Sequence, residues 1–470
     1  MFSNVKLKFW ILILLCFLSL LLPILIRDRT NNLFIGSESY KSLRIADSIK
    51  NKGLSSYDKL SYGGKPLVQE KLWYSILSIN PAFLAKILPF ILGILSFILF
   101  YLIINKVKPD LTIISSLLLI FSPAFLYLFS TATKYSAAVF FILLGFYFMT
   151  KDKNNYGYVS FFISGFFSII SLLFIVFIFL FYSLKKEDFR YFYTLFFGFI
   201  VIFLIQFYNL IKFGIPQLIF GFEAFNFEKF FSFIIFGDSG RYGFGFFMFF
   251  LALIGIYFYY RERFRFLFVY FALFLVLLVS FYLNFLMAYL AFPLAFFGAI
   301  GIGSFLKEQS KSDLFKFLTL LVIICGLLFS LIVFYDGVSR FEPSKGYFEG
   351  INYLKNQNGD FTVLTDYKNG DFIAYAGKKT FIDSDFLYAP DPSFANKILN
   401  ELYSTKDINA TVELLHNYKI KEILIDENMK KDIFNNEEKG LLFLLKYSPG
   451  VFEKVFNNTE VEVWELKYDI

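Results

Sequence analysis

The sequence predicts a polytopic α-helical membrane bundle of about 11 membrane segments, one pair of them a short helical hairpin, followed by a C-terminal soluble α/β domain. Three observations predict it. Apolar residues make up 57% of the 470-residue chain, with Phe alone contributing 71, whereas soluble domains sit near ~45–50%. Continuous apolar runs recur up to about residue 335 at the ~20-residue length that crosses a hydrocarbon core as a helix; they do not alternate as barrel strands do. From residue 341 the pattern changes to short strands and amphipathic helices.

Charge divides at the same place. Residues 341–470 hold 15 Lys/Arg against 22 Asp/Glu, and the remainder holds 30 against 16. The basic part is the membrane part, which points to membrane lipid and lipid phosphate rather than nucleic acid. Cys16 and Cys325 both lie in apolar runs, so neither a disulfide framework nor a CxxC metal site exists. The only histidine, His416, lies in the tail, where it reads as a helix-surface residue. Acid–base work in the membrane part therefore falls to carboxylates, Lys or Tyr.

The first span is expected at 8–26, uncleaved, with a cytoplasmic N-terminus, because Arg27-Asp28-Arg29 follows in place of small cleavage-site residues. Further spans fall at 82–104, 111–129, 135–149, 191–211, 244–260, 266–282, 285–305 and 317–335. The 28 residues 157–184 exceed one upright helix and fall short of two full ones. Reading them as a hairpin puts every short basic loop (Lys106/Lys108, Lys151/Lys153, Lys185/Lys186/Arg190, Arg261/Arg263/Arg265 and Lys307/Lys311/Lys316) in the cytoplasm, as the positive-inside rule requires. The loops 27–81 and 212–243, the turn 130–134 and the tail then share the outer face. Gly298, Gly301 and Gly303 mark close helix packing.

In the tail, 346–356 reads as a helix, 361–364 as a buried strand, 394–403 and 407–417 as helices, 421–425 as a second strand and 441–447 as a helix. Val451–Phe456 and 461–466 alternate as a terminal hairpin. Asn409 and Asn457 begin N-glycosylation sequons.

The polar loop 27–81, with five acidic and nine basic residues, is the first candidate site. If 38–51 is a helix, Glu38 sits in its first turn, where the dipole favours a carboxylate, and Arg44 and Asp47 are three residues apart on one side. The spacing serves a catalytic carboxylate with a nearby phosphate-binding Arg, and equally a helix-start acid with a surface ion pair. The loop 212–243 carries Glu223, Glu228, Asp238 and Arg241 among phenylalanines, as an interfacial segment does; Arg241 there could hold a phosphate. Asp366 follows the strand 361–364, where sites often lie.

The order of parts resembles the GT-C superfamily of membrane glycosyltransferases, and within it archaeal relatives of the oligosaccharyltransferase catalytic subunit. Glu38-x-Tyr40-x-x-Leu43-Arg44-x-Ala46 is similar to the family's D-x-Y…LR-x-A first-loop motif, and Asp58-x-x-Ser61-Tyr-Gly-Gly-Lys-Pro66 to its D…YGGRP segment. Val363 to Tyr375 sits where the WWDYG stretch would fall, here reading Asp366-Tyr367-Lys368-Asn369-Gly370. The family's catalytic Asp is replaced by Glu38, and the turn Ser130 to Lys134 lacks the acidic pair of relatives. The resemblance implies a GT-C-like transmembrane domain over 1–340 and an extracytoplasmic α/β domain over 341–470. It implies a multi-pass cell-membrane enzyme that moves a sugar from a polyprenyl-phosphate-type lipid donor to an acceptor at the outer face. Glu38 is then catalytic; Arg44, Arg241 and Lys134 hold the lipid phosphate; Tyr40, Asp47, Asp58, Glu223 and Asp366 are acceptor or supporting candidates. A divalent cation, Mg2+ or Mn2+, is the one cofactor it implies. The alternatives are a non-catalytic glycolipid-binding or accessory relative and, last, a transporter or flippase, a class that places charges inside its spans.

Overall fold

A computed structural model describes residues 2–29, 34–67, 71–186, 190–213, 231–232, 234–235, 243–262, 267–280, 285–308, 313–384, 389–435 and 437–467. The chain divides into two compact units. One joins Met1–Asn32, Phe83–Ile205 and Phe222–Ser339; the other joins Leu33–Ala82, Gln206–Gly221 and Arg340–Ile470. The first loop thus belongs with the tail, and not, as its place between two spans suggests, with the bundle. The reason is packing, set out below.

The first unit is helical. Among the described residues four helices are long and apolar enough to cross a membrane, or five if the bent pair Pro109–Ile120 and Pro123–Ser130 is one span. This is a membrane protein. Other expected spans are apolar helices of 10–17 residues, such as Lys134–Thr150 and Phe246–Tyr260, shorter than the ~20 residues of an upright crossing. The stretch 157–184 divides at Ser168 into the helices Asn154–Phe167 and Ile169–Lys186. The 61° bend between Pro109–Ile120 and Pro123–Ser130 has a local cause. Pro123 has no N–H to continue the ladder, and the Ala124 N–H donates instead to the Gly243 carbonyl at 3.0 Å.

Glycine spacing sets the closest approach in the bundle. A Cβ on Gly255 would collide with the Phe297 carbonyl, and one on Gly301 with the Leu251 carbonyl, so the helices Phe246–Glu262 and Leu286–Glu308 touch backbone to backbone. Gly298 and Gly303 meet only side-chain carbons of Leu118 and Leu111 at their nearest point. The first helix, Phe2–Arg29, is tied to the last, Asp313–Arg340, by Tyr335 donating to the Ser19 carbonyl (2.9 Å).

The second unit is built on a five-stranded sheet. Its strands are β3 (Thr362–Leu364), β4 (Lys379–Thr380), β5 (Ile420–Asp426), β6 (Phe452–Asn457) and β7 (Val461–Leu466), in the order β4-β3-β5-β7-β6. β3 runs parallel to β4 and β5; β7 runs antiparallel to β5 and β6. The chain leaves β3 first to one side and then to the other, so the ends of β3 and β5 form a topological switch point. One face of the sheet packs Ile423, Ile425 and Trp464 against the helices Pro392–Ser404, Ile408–Asn417 and Leu441–Tyr447. The other packs Val363, Leu424 and Val463 against the helix Lys345–Asn356 and the short helix Gly370–Tyr375.

The first loop fills both faces. Its helix, Ser37–Lys52, buries Tyr40, Leu43 and Ala46, spaced three apart and so on one side. Tyr40 joins the second core, edge-on to Phe372 (5.2 Å between centroids) and Tyr375 (4.9 Å), and its hydroxyl accepts the Phe34 N–H. Beyond it, a two-stranded hairpin, β1 (Tyr57–Asp58) with β2 (Lys65–Pro66), encloses Tyr62, Gly63 and Gly64, all with positive φ. Glycine takes that backbone without cost, and Gly64 also has no room for a Cβ beside the Tyr57 hydroxyl. The turn carries Tyr62 into the first core, and the Leu60 carbonyl accepts from Thr380 N, covering the β4 edge.

Replacing Tyr40 with Ala should destabilise this unit by about 3–5 kcal/mol, as deletion of a buried aromatic ring does, while Tyr40→Phe should cost about 1 kcal/mol, the worth of one hydrogen bond. Limited proteolysis of the tail across a temperature ramp reads the difference.

Candidate functional site

Positive φ at Gly36 (78°) turns the chain into the helix Ser37–Lys52, and the Gly36 N–H donates to the Glu342 carbonyl at 2.8 Å. Glu38 follows in the first helical turn, exposed. The acid favoured by sequence is therefore presented to solvent on a helix start that is fastened to the segment leading into Lys345–Asn356.

Other loop candidates take different places. Both terminal nitrogens of Arg44 bond the Asp58 carboxylate, each at 2.7 Å, with side-chain exposures of 11% and 6%. The expected lipid-phosphate role of Arg44 is corrected on this ground: the guanidinium fork is taken up inside the unit. Burial is the largest single effect and opposes both charges, but the pairing together with the neighbouring groups outweighs it, so Arg44 is raised and Asp58 lowered. Asp58, offered as an acceptor contact, is likewise the internal partner of Arg44, and it also accepts the Leu60 N–H. Asp47 does not pair with Arg44; it is exposed, with its carboxyl raised by partial burial against the pull of Lys50 and Lys355. Tyr40 is 2% exposed and belongs to the core, so it offers no face to an acceptor. Arg241 and Glu223, with Glu228 and Asp238, lie outside the described residues.

A second buried pair lies near the first. Lys65 faces Asp383 at 3.8 Å, with both side chains no more than 2% exposed. Ser61 Oγ donates to the Asp383 carboxylate and the Tyr62 hydroxyl to its backbone carbonyl. Ser384 Oγ donates to Asp371, whose charge, with that of Asp383, also supports Arg44.

Asp366 lies two residues beyond β3 and Asp426 ends β5, so both stand at the switch point of the parallel strands. Asp426 caps the next helix, accepting the Met429 N–H at 2.6 Å and the Asn369 side-chain N–H at 2.8 Å. Burial, then the charges of Asp426 and Glu342, push Asp366 up to about 6, against the pull of Lys368. Asp426 is raised by burial and by Glu342 despite its hydrogen bonds. Sequence reasoning found Asp366 from its place after a strand. It missed Asp426, which the strand 420–426 could have signalled, and Glu342, which no local pattern marks.

In the bundle, Lys134 opens the helix Lys134–Thr150, 5.6 Å over the Tyr135 ring. Tyr135 stacks on Phe285 at 3.9 Å, and Tyr289, one helical turn on, hydrogen-bonds Ser171 at 2.5 Å. Thr133, at the helix start, is 1% exposed, and its hydroxyl has no partner among the described residues.

A divalent cation needs several carboxylate oxygens together. Among the described residues no group of three or more His, Cys, Asp or Glu side chains is placed to hold one, and Ser130–Lys134 carries no acid. These residues do not fit a metal ion, and no step is routed through one.

No protein-family model matches the chain, and no curated protein matches it by sequence. Solved structures do. The chain has the fold of GT-C glycosyltransferases. It is similar to the oligosaccharyltransferase of Archaeoglobus fulgidus solved with Zn and sulfate (TM-score 0.62, 13% identity, 88% of this chain and 68% of that one). It is also similar to the same organism's AglB in complex with an inhibitory peptide and a dolichol-phosphate (0.51, 13%, 90% and 70%). ArnT from Cupriavidus metallidurans matches over nearly its whole length (0.54, 11%, 98% and 97%).

Because the folded Asp366 binds its proton more tightly than the unfolded chain does, its contribution is present below about pH 4 and is lost as pH rises through about 6. Asp366→Asn should therefore raise the unfolding midpoint at pH 7.5, by the equivalent of about 3 kcal/mol, and leave it unchanged near pH 4. Thermal unfolding of the two proteins at both pH values measures this.

Proposed function

We propose that the chain is a multi-pass membrane glycosyltransferase that moves a sugar from a polyprenyl-phosphate-type lipid donor to an acceptor at the outer face of the cell membrane. The observation that carries this reading is the fold likeness, which covers 88% of the chain or more in each of the three neighbours. The neighbour with a dolichol-phosphate supports a lipid-linked donor. In this reading about 11 membrane segments cross the bilayer, the N-terminus is cytoplasmic, and the α/β unit is extracytoplasmic.

Glu38 deprotonates or positions the acceptor. The acceptor atom attacks C1 of the sugar, the bond from C1 to the phosphate oxygen breaks, and the lipid phosphate leaves with the electron pair. Lys134 meets that phosphate. A cation in the first turn of a helix is disfavoured by the dipole; a phosphate at the same point is favoured by both the dipole and the lysine, and the Thr133 hydroxyl supplies a further donor. Arg241 is a second phosphate contact in this reading, Glu223 and Asp366 acceptor contacts.

A second reading is a glycolipid-binding relative without turnover. It is favoured by the single carboxylate of Glu38, which no group of metal-holding side chains joins among the described residues.

Reconstituted protein incubated with labelled polyprenyl-linked sugars decides between them. Turnover is expected, with Glu38→Gln reducing it by about 10²–10⁴-fold and Lys134→Ala raising the KM for the lipid donor. Full transfer by Glu38→Gln would remove Glu38 from the chemistry, and donor binding without transfer by the unaltered chain would favour the second reading.

A further inference from the structure

The second unit carries two N-glycosylation motifs, Asn409-Ala410-Thr411 and Asn457-Asn458-Thr459, and the fold treats them differently. The motif consists of the Asn and of the hydroxyl two residues on, so both side chains must be within reach of the enzyme that reads it. Asn409-Ala410-Thr411 is wound into the first turn of the helix Ile408–Asn417. Asp407 caps that turn, its carboxylate accepting the Asn409 and Ala410 N–H groups at 2.8 and 3.3 Å. Thr411 is 0% exposed, and its hydroxyl donates to the Asp407 carbonyl at 2.7 Å. Asn409 is exposed, but the hydroxyl that completes its motif is buried and engaged.

Asn457-Asn458-Thr459 ends β6 and begins the connection to β7. Side chains of an extended chain alternate, and here the alternate members turn inward. Asn458 donates to the Gly346 carbonyl at 2.8 Å and accepts the Glu460 and Val461 N–H groups at 3.0 and 2.8 Å. The Glu460 carboxylate accepts from Ser344 Oγ and, at 3.0 Å, from the Tyr347 N–H. The connection is thus fastened to the start of the helix Lys345–Asn356 through residues 458 and 460. Asn457 and Thr459, between and beside them, are both exposed, and neither side chain is hydrogen-bonded to a described residue. β6 is also an outer strand of the sheet. The opposite outer strand, β4, is covered by Leu60; a glycan on Asn457 would place a bulky, solubilising group at the end of the other edge, where it hinders pairing with a foreign strand.

We propose that Asn457 of the folded chain is an N-glycan acceptor and that Asn409 is not. The donor is a lipid-diphosphate-linked oligosaccharide, and the catalyst is a separate sequon-directed transferase. The Asn457 amide nitrogen attacks C1 of the first sugar, and the bond from C1 to the diphosphate oxygen breaks. The lipid diphosphate leaves with the electron pair, and the amide proton passes to a base of that transferase. Use of the site in the cell rests on the extracytoplasmic placement of the α/β unit in the reading above; acceptance by the folded chain does not.

The test incubates the purified full-length protein in detergent with a purified oligosaccharyltransferase and a dolichol-diphosphate-linked oligosaccharide, and maps glycopeptides by mass spectrometry. A version with a sequon peptide appended after Ile470 shows that enzyme and donor are active. The folded chain is expected to take one glycan, on Asn457. Thr459→Ser should keep it, Thr459→Ala and Asn457→Gln should abolish it, and Asn409→Gln should change nothing. A tryptic digest of the same protein should accept at both positions, because unfolding frees the Thr411 hydroxyl. An unmodified folded chain beside a modified appended sequon, a glycan on Asn409 of the folded chain, no difference at Asn409 between folded chain and digest, or modification of Asn457 that survives Thr459→Ala would each overturn the site. Asn457→Gln should leave turnover of labelled polyprenyl-linked sugars unchanged, so failure of the glycan site and failure of the transferase reading are observed separately.

Discussion

Two buried ion pairs hold the second unit together, and much of the structure depends on their being satisfied. Arg44 and Asp58 form a two-pronged pair within the first loop, and Lys65 reaches Asp383 of the tail. Charges removed from water are tolerated only with good geometry and further hydrogen bonds. Here the Leu60 N–H bonds Asp58 and the Ser61 hydroxyl bonds Asp383. Left-handed backbone at Tyr62 to Gly64 reverses the chain so that Lys65 enters the interior while Tyr62 enters a core. With the loop held this way, Tyr40 can fill the opposite face, and Glu38 is left at the helix start facing solvent.

The parts legible in the sequence were those with a local period. Apolar runs matched helices because hydrocarbon thickness imposes their length, and Gly301 announced close packing because only a missing Cβ permits it. The tail's strands and helices fall near their expected places for the same reason: alternation and helical spacing are written within a few residues. What stayed hidden are contacts across long separations. Arg44 reads as the partner of Asp47, three residues away, and is in fact bound to Asp58. Lys65, in an apparently solvated Gly-Gly-Lys-Pro turn, is 2% exposed because its partner lies more than 300 residues later. β4, only two residues long, carries no period to detect.

The candidate site divides along the same line. Glu38 could be found from a motif, and Asp366 from its position after a strand. Glu342 could not, since no local pattern marks it and its effect on Asp366 runs between segments distant in the chain. The acids gathered there disfavour one another, and Asp426 is accommodated because it also caps a helix. Local disfavour of this kind, in a fold otherwise well satisfied, is where function is usually found.

The discontinuity of the second unit also dictates the timetable of its birth. Its first segment ends at Ala82 and its last begins at Arg340, so about 260 residues, the helices of the first unit among them, are synthesised between the two, which at ribosomal rates takes on the order of tens of seconds. During that interval Lys65 has no counter-charge from Asp383, and Tyr40 has no aromatic cage. The nascent loop is a half-domain waiting for its complement. The final closure is a long-range event of the kind that slows folding.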